Sequence, residues 1–196
     1  MRGHLAAYKA FIKMMARFKG NLLIAGSSRL PFPSCPQVHG WDCSWTMEDL
    51  AEIAQYARAH HVDLWPMVPG LAHSGWKILL LDKTWAAKPE SQKFWQWLVE
   101  HKVLGDPNSE LPNASWRSDA FNPSSPEAID LILKITDDVI KATGAKTVFV
   151  VMDEPAPSIS TMVPDRDPAE VLAEFINRYQ AHVAEQGVRM AMWPDM

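Results

Sequence analysis

Residues Lys146–Pro155 read Lys-Thr-Val-Phe-Val-Val-Met-Asp-Glu-Pro, and this stretch decides the fold. The run Thr147–Met152 is rich in β-branched and aromatic residues and shows no polar alternation, the composition of a parallel strand covered on both faces. It ends in two adjacent carboxylates, Asp153 and Glu154, followed by Pro155, which lacks the amide hydrogen a continuing strand needs. In α/β proteins the carboxyl ends of parallel strands are where active sites are built. Two acids held side by side there are costly, because like charges a few ångströms apart do not both ionise freely. One reading makes them an acid/base pair. The other makes Asp153 a cap for the next loop beside a solvated Glu154.

Working outward, the flanks alternate helix with strand. Leu5, Ala6, Phe11, Ile12, Met15 and Phe18 recur at helical spacing, predicting a helix over His4–Phe18 stopped by Gly20. Leu22–Ala25 is a short buried strand ending at Gly26-Ser27-Ser28. Thr46, with Asp49 three residues on, opens a second helix with Leu50, Ile53, Ala54, Tyr56 and Ala57 on its core face. Val62–Val68 is the next strand, with Pro66 suggesting irregular pairing near its end. Pro89–His101 holds one helix, with Phe94, Trp95, Trp97 and Leu98 as its apolar side. Ser125 as N-cap and Pro126 at the first helical position start a strongly periodic helix that Gly144 ends. After the acidic strand, Asp167-Pro168-Ala169-Glu170 is another capping box, leading a helix through Val171, Phe175, Tyr179 and Val183 to Gly187. Val188–Met192 is the last strand.

Bulk properties bound the function. A chain of 196 residues that is 47% hydrophobic buries one sizeable core. The net charge of −4 and the absence of a basic run argue against a nucleic-acid partner. No segment approaches the ~18 apolar residues of a membrane span. The N-terminus, Met1-Arg2-Gly3-His4, leads into an amphipathic pattern instead of a signal-peptide core, which points to a cytoplasmic protein. Two cysteines make no disulfide framework. Cys35, His39 and Cys43 invite a metal reading, but no fourth ligand and no tighter Cys pair accompanies them, so no metal and no other cofactor is expected. The nine tryptophans suit core packing and also the rim of a sugar site.

The βα alternation means a parallel sheet. No Gly-x-Gly-x-x-Gly or Walker motif follows any strand, which argues against a nucleotide-binding doubly wound fold. Polar and aromatic residues gather after the strands' carboxyl ends instead: His39 and Trp41, His73 and Trp76, Asp153 and Glu154, Trp193 and Asp195. That distribution fits the rim of a (β/α) barrel, although about four strands are visible where a closed barrel has eight. The expectation is a single domain over residues 1–196: an α/β half of a TIM-type barrel, with an irregular insertion at about 77–122.

Five segments, in order, resemble glycoside hydrolase family 20, the β-N-acetylhexosaminidases. Trp45–Arg58 resembles the family's second barrel helix. Pro66–His73 resembles its Pro-x-x-x-x-x-Gly-His turn, with Ala72 where the family has Gly. Asn122–Glu127 resembles the segment before its next helix. Met152-Asp153-Glu154 resembles its Asp-Glu pair, here followed unusually by Pro155. Met192–Met196 resembles its Trp-Asp-Asp-Met ending of the fifth strand.

The resemblance implies a substrate-assisted mechanism, in which the sugar's own 2-acetamido oxygen is the nucleophile. It assigns Glu154 as general acid and base and Asp153 as the group that orients the acetamide. His73, Trp76, Trp193 and Asp195 become substrate-binding candidates around an N-acetylglucosamine or N-acetylgalactosamine unit. The family's sugar-gripping Arg from its first strand and the later Trp and Tyr of its acetamide pocket have no counterpart here. The segment is therefore expected to correspond to about strands two to five, as a fragment or as a subunit completed by a copy of itself in a homodimer. Three other readings stay open. One is a non-catalytic carbohydrate-binding or relic barrel. A second is another retaining glycosidase with an Asp-Glu-Pro acid/base strand, which needs a second carboxylate on a late strand. The third is a zinc-dependent barrel methyltransferase, which needs Cys and His ligands not found here.

Overall fold

The computed structural model describes residues 3–26, 32–34, 46–71, 89–103, 120–152, 159–160 and 162–193. In chain order the elements are α1 (Gly3–Arg17), β1 (Leu22–Gly26), α2 (Met47–Ala59), β2 (Asp63–Val68), α3 (Pro89–Glu100), α4 (Pro126–Thr143), β3 (Thr147–Val150), α5 (Pro168–Glu185) and β4 (Arg189–Met192). The strands form one four-stranded sheet in the order β1-β2-β3-β4, and every neighbouring pair is parallel. Each strand lies beside its predecessor, so the sheet is wound in one direction, as in a barrel. A doubly wound fold reverses its strand order instead. The half-barrel expectation agrees with this order.

The register sorts the sheet's two faces. Gly26, Met67, Phe149 and Ala191 form one row across all four strands, and Val68, Val150 and Met192 form part of the next. Ala25 and Leu64 pack with α1 and α2 around Ile12, Ile53 and Ala57. On that same face Val68, Val148 and Val150 pack with α4 and α5 around Ile132, Ile135, Val139, Phe175 and Tyr179. The helices thus share one face. The other carries Leu22, Ile24, Trp65, Met67, Phe149 and Ala191. All four residues of β3 are buried, which is what its unalternating composition requires.

Local chemistry sets the helix ends. Thr46 Oγ1 accepts from the Asp49 amide at 3.1 Å and the Asp49 carboxylate accepts from the Thr46 amide at 3.0 Å, a complete capping box. Ser125 caps α4 by accepting from the Ala128 amide, and Gly144 closes it in the left-handed region at φ 61°. Arg58, reaching from α2, donates to the Thr143 carbonyl at 2.6 Å and so caps the end of α4 as well. Asp167 does cap α5, but it accepts from the Ala169 amide at 2.8 Å; the reciprocal box expected with Glu170 does not form. Gly20 is likewise not the left-handed residue that ends α1: Lys19 is, at φ 61°, with the Gly20 amide donating back to the Met15 carbonyl. His61 and Lys102 play the same part after α2 and α3.

Pro66 does not disturb β2, which runs unbroken from Asp63 to Val68. The ladder with β3 begins only at Met67, so Pro66 falls where β2 behaves as an edge and the missing donor is tolerated. β3 is two residues shorter than its apolar run, closing at Val150. Among the described residues no helix is long and apolar enough to cross a membrane.

Candidate active site

β2, β3 and β4 run parallel, so their carboxyl ends share one edge of the sheet. That edge leads into every residue singled out from the sequence. His73 and Trp76 follow β2, Asp153 and Glu154 follow β3, and Trp193 and Asp195 follow β4. The last rung pairs Val150 with Met192, and Asp153 and Asp195 each lie three residues beyond it. Of these six, Trp193 lies within the described residues. Its ring stands edge-on to Phe149 with centroids 4.9 Å apart and planes at 71°, and it is 44% exposed. Nearly half of the indole is open to solvent, while the aromatic it meets is buried. His73, Trp76, Asp153, Glu154 and Asp195 lie outside the described residues, as do Cys35, His39 and Cys43.

What the structure does show is how the chain is delivered to that edge. The Val151 amide donates to the Val68 carbonyl at 3.0 Å, which carries the β2–β3 pairing one residue past the ladder. Gly70 follows in direct contact with β3. A Cβ at this position would lie 2.0 Å from the Val151 carbonyl oxygen, 2.8 Å from Met152 Sδ and 2.9 Å from Val150 Cγ1. Only a residue without a side chain permits that approach. The Leu71 carbonyl accepts from the Phe121 amide at 2.7 Å, and Leu71, Phe121 and Met152 are all buried. Behind them Tyr179, from α5, touches Thr136 of α4 with hydroxyl oxygens 2.5 Å apart and reaches the Pro69 carbonyl at 3.4 Å. Burial pushes the Tyr179 phenol far above its ordinary range; the Thr136 hydrogen bond opposes that shift and Asp137 adds to it.

Helical spacing puts Tyr179 on the core face of its helix and gives it no polar role. Gly70 falls inside the Pro66–His73 turn, where nothing distinguishes it. No local pattern marks either residue, because each acts on a backbone atom distant in the chain.

A groove of about 560 Å³ between α4 and α5 is lined by Asp130, Lys134, Asp137, Arg178, His182 and Glu185. Four of these side chains pair, Asp137 with His182 at 2.8 Å and Asp130 with Arg178 at 3.3 Å, and all four are partly exposed to solvent. The groove has the character of a solvated helix surface. Among the described residues no group of three or more His, Cys, Asp or Glu could hold a metal ion.

A singly wound parallel sheet, helices on one face and aromatic and acidic residues after its carboxyl edge, defines a chain of the (β/α)-barrel class. The family model described as glycosyl hydrolase family 20, catalytic domain, matches residues 9–196, and the chain belongs to that family. The resemblance read from its five segments is therefore correct. The structure is similar to the chitobiase of Flavobacterium johnsoniae (TM-score 0.70, 15% identity), covering 96% of this chain and 29% of that one. It is also similar to an exo-β-N-acetylglucosaminidase from Vibrio harveyi, solved with N-acetylglucosamine (TM-score 0.66, 16% identity, covering 96% and 33%). A third is dispersin B (TM-score 0.62, 17% identity, covering 96% and 54%). The chain thus spans between about a third and a half of the length of these solved proteins, and it corresponds to part of their barrel. No curated protein matches the sequence.

Proposed function

We propose that this chain carries the catalytic acids of a glycoside hydrolase acting on N-acetylhexosaminides with retention of configuration. Membership of the family over residues 9–196 supports the substrate class. The observation that carries the reading is the placement of β3. It is a buried inner strand, tied to β2 at its carboxyl end and flanked by β4, and it hands the chain to Asp153 and Glu154 at the functional edge.

In this mechanism Glu154, protonated, gives its proton to the glycosidic oxygen as the bond to C1 breaks. The acetamido carbonyl oxygen of the same sugar attacks C1 from the opposite face and forms an oxazolinium-type ring. Asp153 accepts from the acetamide N–H, holding it in line and stabilising the positive charge that develops. Glu154, now ionised, takes a proton from water as the water opens the ring, which restores the original configuration. No protein nucleophile is required, which accounts for two acids adjacent in sequence. Trp193 supplies a sugar-facing wall.

Glu154→Gln tests the assignment directly. Turnover of an aryl β-N-acetylglucosaminide should fall by about 10²–10⁴-fold, and a variant with full activity removes Glu154 from the mechanism. An aryl β-glucoside, which lacks the acetamide, should be turned over far more slowly than its N-acetylated counterpart. Binding of N-acetylglucosamine by calorimetry with no turnover in either case would instead favour the carbohydrate-binding reading.

A second copy of the chain is the partner in this proposal. Leu22, Ile24, Trp65 and Met67 on the face away from the helices are only half buried. Phe11 and Met14 of α1 and Phe18 just past its end are also exposed, spaced i, i+3 and i+7. Two such sheets closing an eight-stranded ring would set β4 of one copy beside β1 of the other, and α5 beside α1. α1 carries Lys9, Lys13 and Arg17 and no acid, while α5 carries Glu170, Glu174 and Glu185 against Arg178, so the two helices are complementary in charge. Sedimentation should give a dimer, and a well-folded monomer at tens of micromolar removes this part of the proposal.

A further inference from the structure

The turn after β2 is held at three backbone carbonyls in four residues, each from a different direction. Val68 accepts from the Val151 amide of the β3 end, Pro69 from the Tyr179 hydroxyl of α5, and Leu71 from the Phe121 amide just ahead of α4. Gly70, between them, lies against Val150, Val151 and Met152 with no room for a side chain. Pro69, Gly70 and Leu71 are all buried, so none of these groups can exchange its partner for water.

Two of the three ties are backbone to backbone. The third depends on one side chain. Tyr179 is 1% exposed, and the Thr136 hydroxyl lies 2.5 Å from its own. Thr136 Oγ1 is also 2.9 Å from the Ile132 carbonyl, so two hydroxyl protons serve three contacts. The Ile132 carbonyl already accepts the helical amide of residue 136. Among the described residues the Tyr179 hydroxyl is the donor that reaches the Pro69 carbonyl. With Tyr179 donating to Pro69, the short contact requires Thr136 to donate to Tyr179 in place of the Ile132 carbonyl, which joins α4 through α5 to the turn. Packing alone does not need this hydroxyl, because a Phe ring would fill the same space beside Phe175, whose centroid lies 5.7 Å away.

We infer that Tyr179, primed by Thr136, is a positioning residue. By holding Pro69 it fixes the height at which the chain leaves β2 toward His73, relative to the point at which it leaves β3 toward Asp153 and Glu154. The inference rests on the hydrolase reading for its catalytic consequence and on the described geometry for its structural one. Leu71 precedes His73 by two residues and Met152 immediately precedes Asp153, so a shift at the clamp passes directly into both segments.

The test compares wild type, Tyr179→Phe and Thr136→Ser in the full chain, by residue-resolved amide hydrogen exchange and by turnover of an aryl N-acetylglucosaminide. In Tyr179→Phe the Val151 and Phe121 amides should exchange at least fivefold faster, while the Ile53 and Ala54 amides of α2 stay within twofold of wild type. Thr136→Ser, which keeps the hydroxyl, should leave the wild-type pattern. The Tyr179→Phe kcat should fall several-fold with KM within twofold. Unchanged exchange at Val151 and Phe121, or an equal rise throughout the chain, overturns the clamp. Loosened amides with an unchanged kcat overturn its positioning role. If the wild type turns over no substrate, the hydrolase reading fails while the exchange comparison still decides the clamp.

Discussion

Gly70 and Gly26 belong to adjacent strands or their ends, and the same substitution should have opposite consequences at the two positions. At Gly70 a methyl group would sit 2.0 Å from the Val151 carbonyl oxygen, roughly 1.4 Å inside ordinary contact, with a sulfur and a methyl carbon also closer than 3 Å. The nearest atom is backbone, so a rotamer change cannot relieve the clash and the ends of β2 and β3 must separate. Overpacking of this kind costs about 1–3 kcal/mol. Losing the Val151–Val68 hydrogen bond in a buried site adds about 1–3 kcal/mol. Gly70→Ala should therefore cost about 2–6 kcal/mol, a fall in Tm on the order of 4–24 °C for a chain of this size. Gly26 has nothing within 4 Å of its would-be Cβ. Gly26→Ala should be neutral or should stabilise by about 0.4–1 kcal/mol, because the unfolded chain loses freedom. Urea denaturation with a shared m-value for all three proteins makes the comparison. A Gly70→Ala variant within about 0.5 kcal/mol of wild type would refute the close approach on which the clamp depends.

Three further outcomes follow from local features. His61 and Lys102 are exposed and hold left-handed backbone angles of φ 58° and 49°, so His61→Gly and Lys102→Gly should each raise stability by about 0.5–1 kcal/mol in urea titrations. Ser125 is a buried N-cap that also donates to the His101 carbonyl, whereas Thr46 is an exposed one. Ser125→Ala should cost about 2 kcal/mol and Thr46→Ala about 1 kcal/mol, and equal costs would deny the extra tie. The Tyr179 phenol is held protonated by burial, so above pH ~10 the unfolded chain binds fewer protons than the folded one and stability falls as pH rises. Urea midpoints between pH 9 and 11 should drop for wild type, and Tyr179→Phe should flatten that decline.

Most of the framework was legible because its signals are local. Thr46 with Asp49, Ser125 with Pro126, and Gly144 each stop or start a helix through atoms within one turn of themselves, so sequence spacing suffices. β3 was legible from composition alone, since a strand buried on both sides has no polar face to alternate with. Failures came where a distant partner decides. The end of α1 is a different case: Lys19 turns left-handed while the Gly20 amide reaches back only five residues to Met15, and nothing in a lysine announces that conformation. Pro66 looked disruptive because the sequence does not say where the ladder to β3 begins. Tyr179 is core, as its helical spacing implies, but its hydroxyl also meets Pro69, 110 residues away, and no local pattern announces that contact.

The same distinction bears on the candidate site. Asp153 and Glu154 are adjacent in sequence, so the covalent chain alone keeps them together. His73 and Asp195 follow β2 and β4 in sequence, and in the proposed site it is inter-strand register that brings them to the acid pair. β3–β4 register is secured by four consecutive rungs from Thr147–Arg189 to Val150–Met192. β2–β3 register is secured by only two, Met67–Phe149 and Val68–Val150. The shorter ladder is the one reinforced beyond its end, by the Val151 amide, by the contact at Gly70 and by the Tyr179 hydroxyl. A one-residue slip in a parallel pair moves a side chain to the other face of the sheet. The β2 side of the site is therefore where the fold has most to lose, and extra ties placed there prevent a register error that two rungs alone would resist weakly.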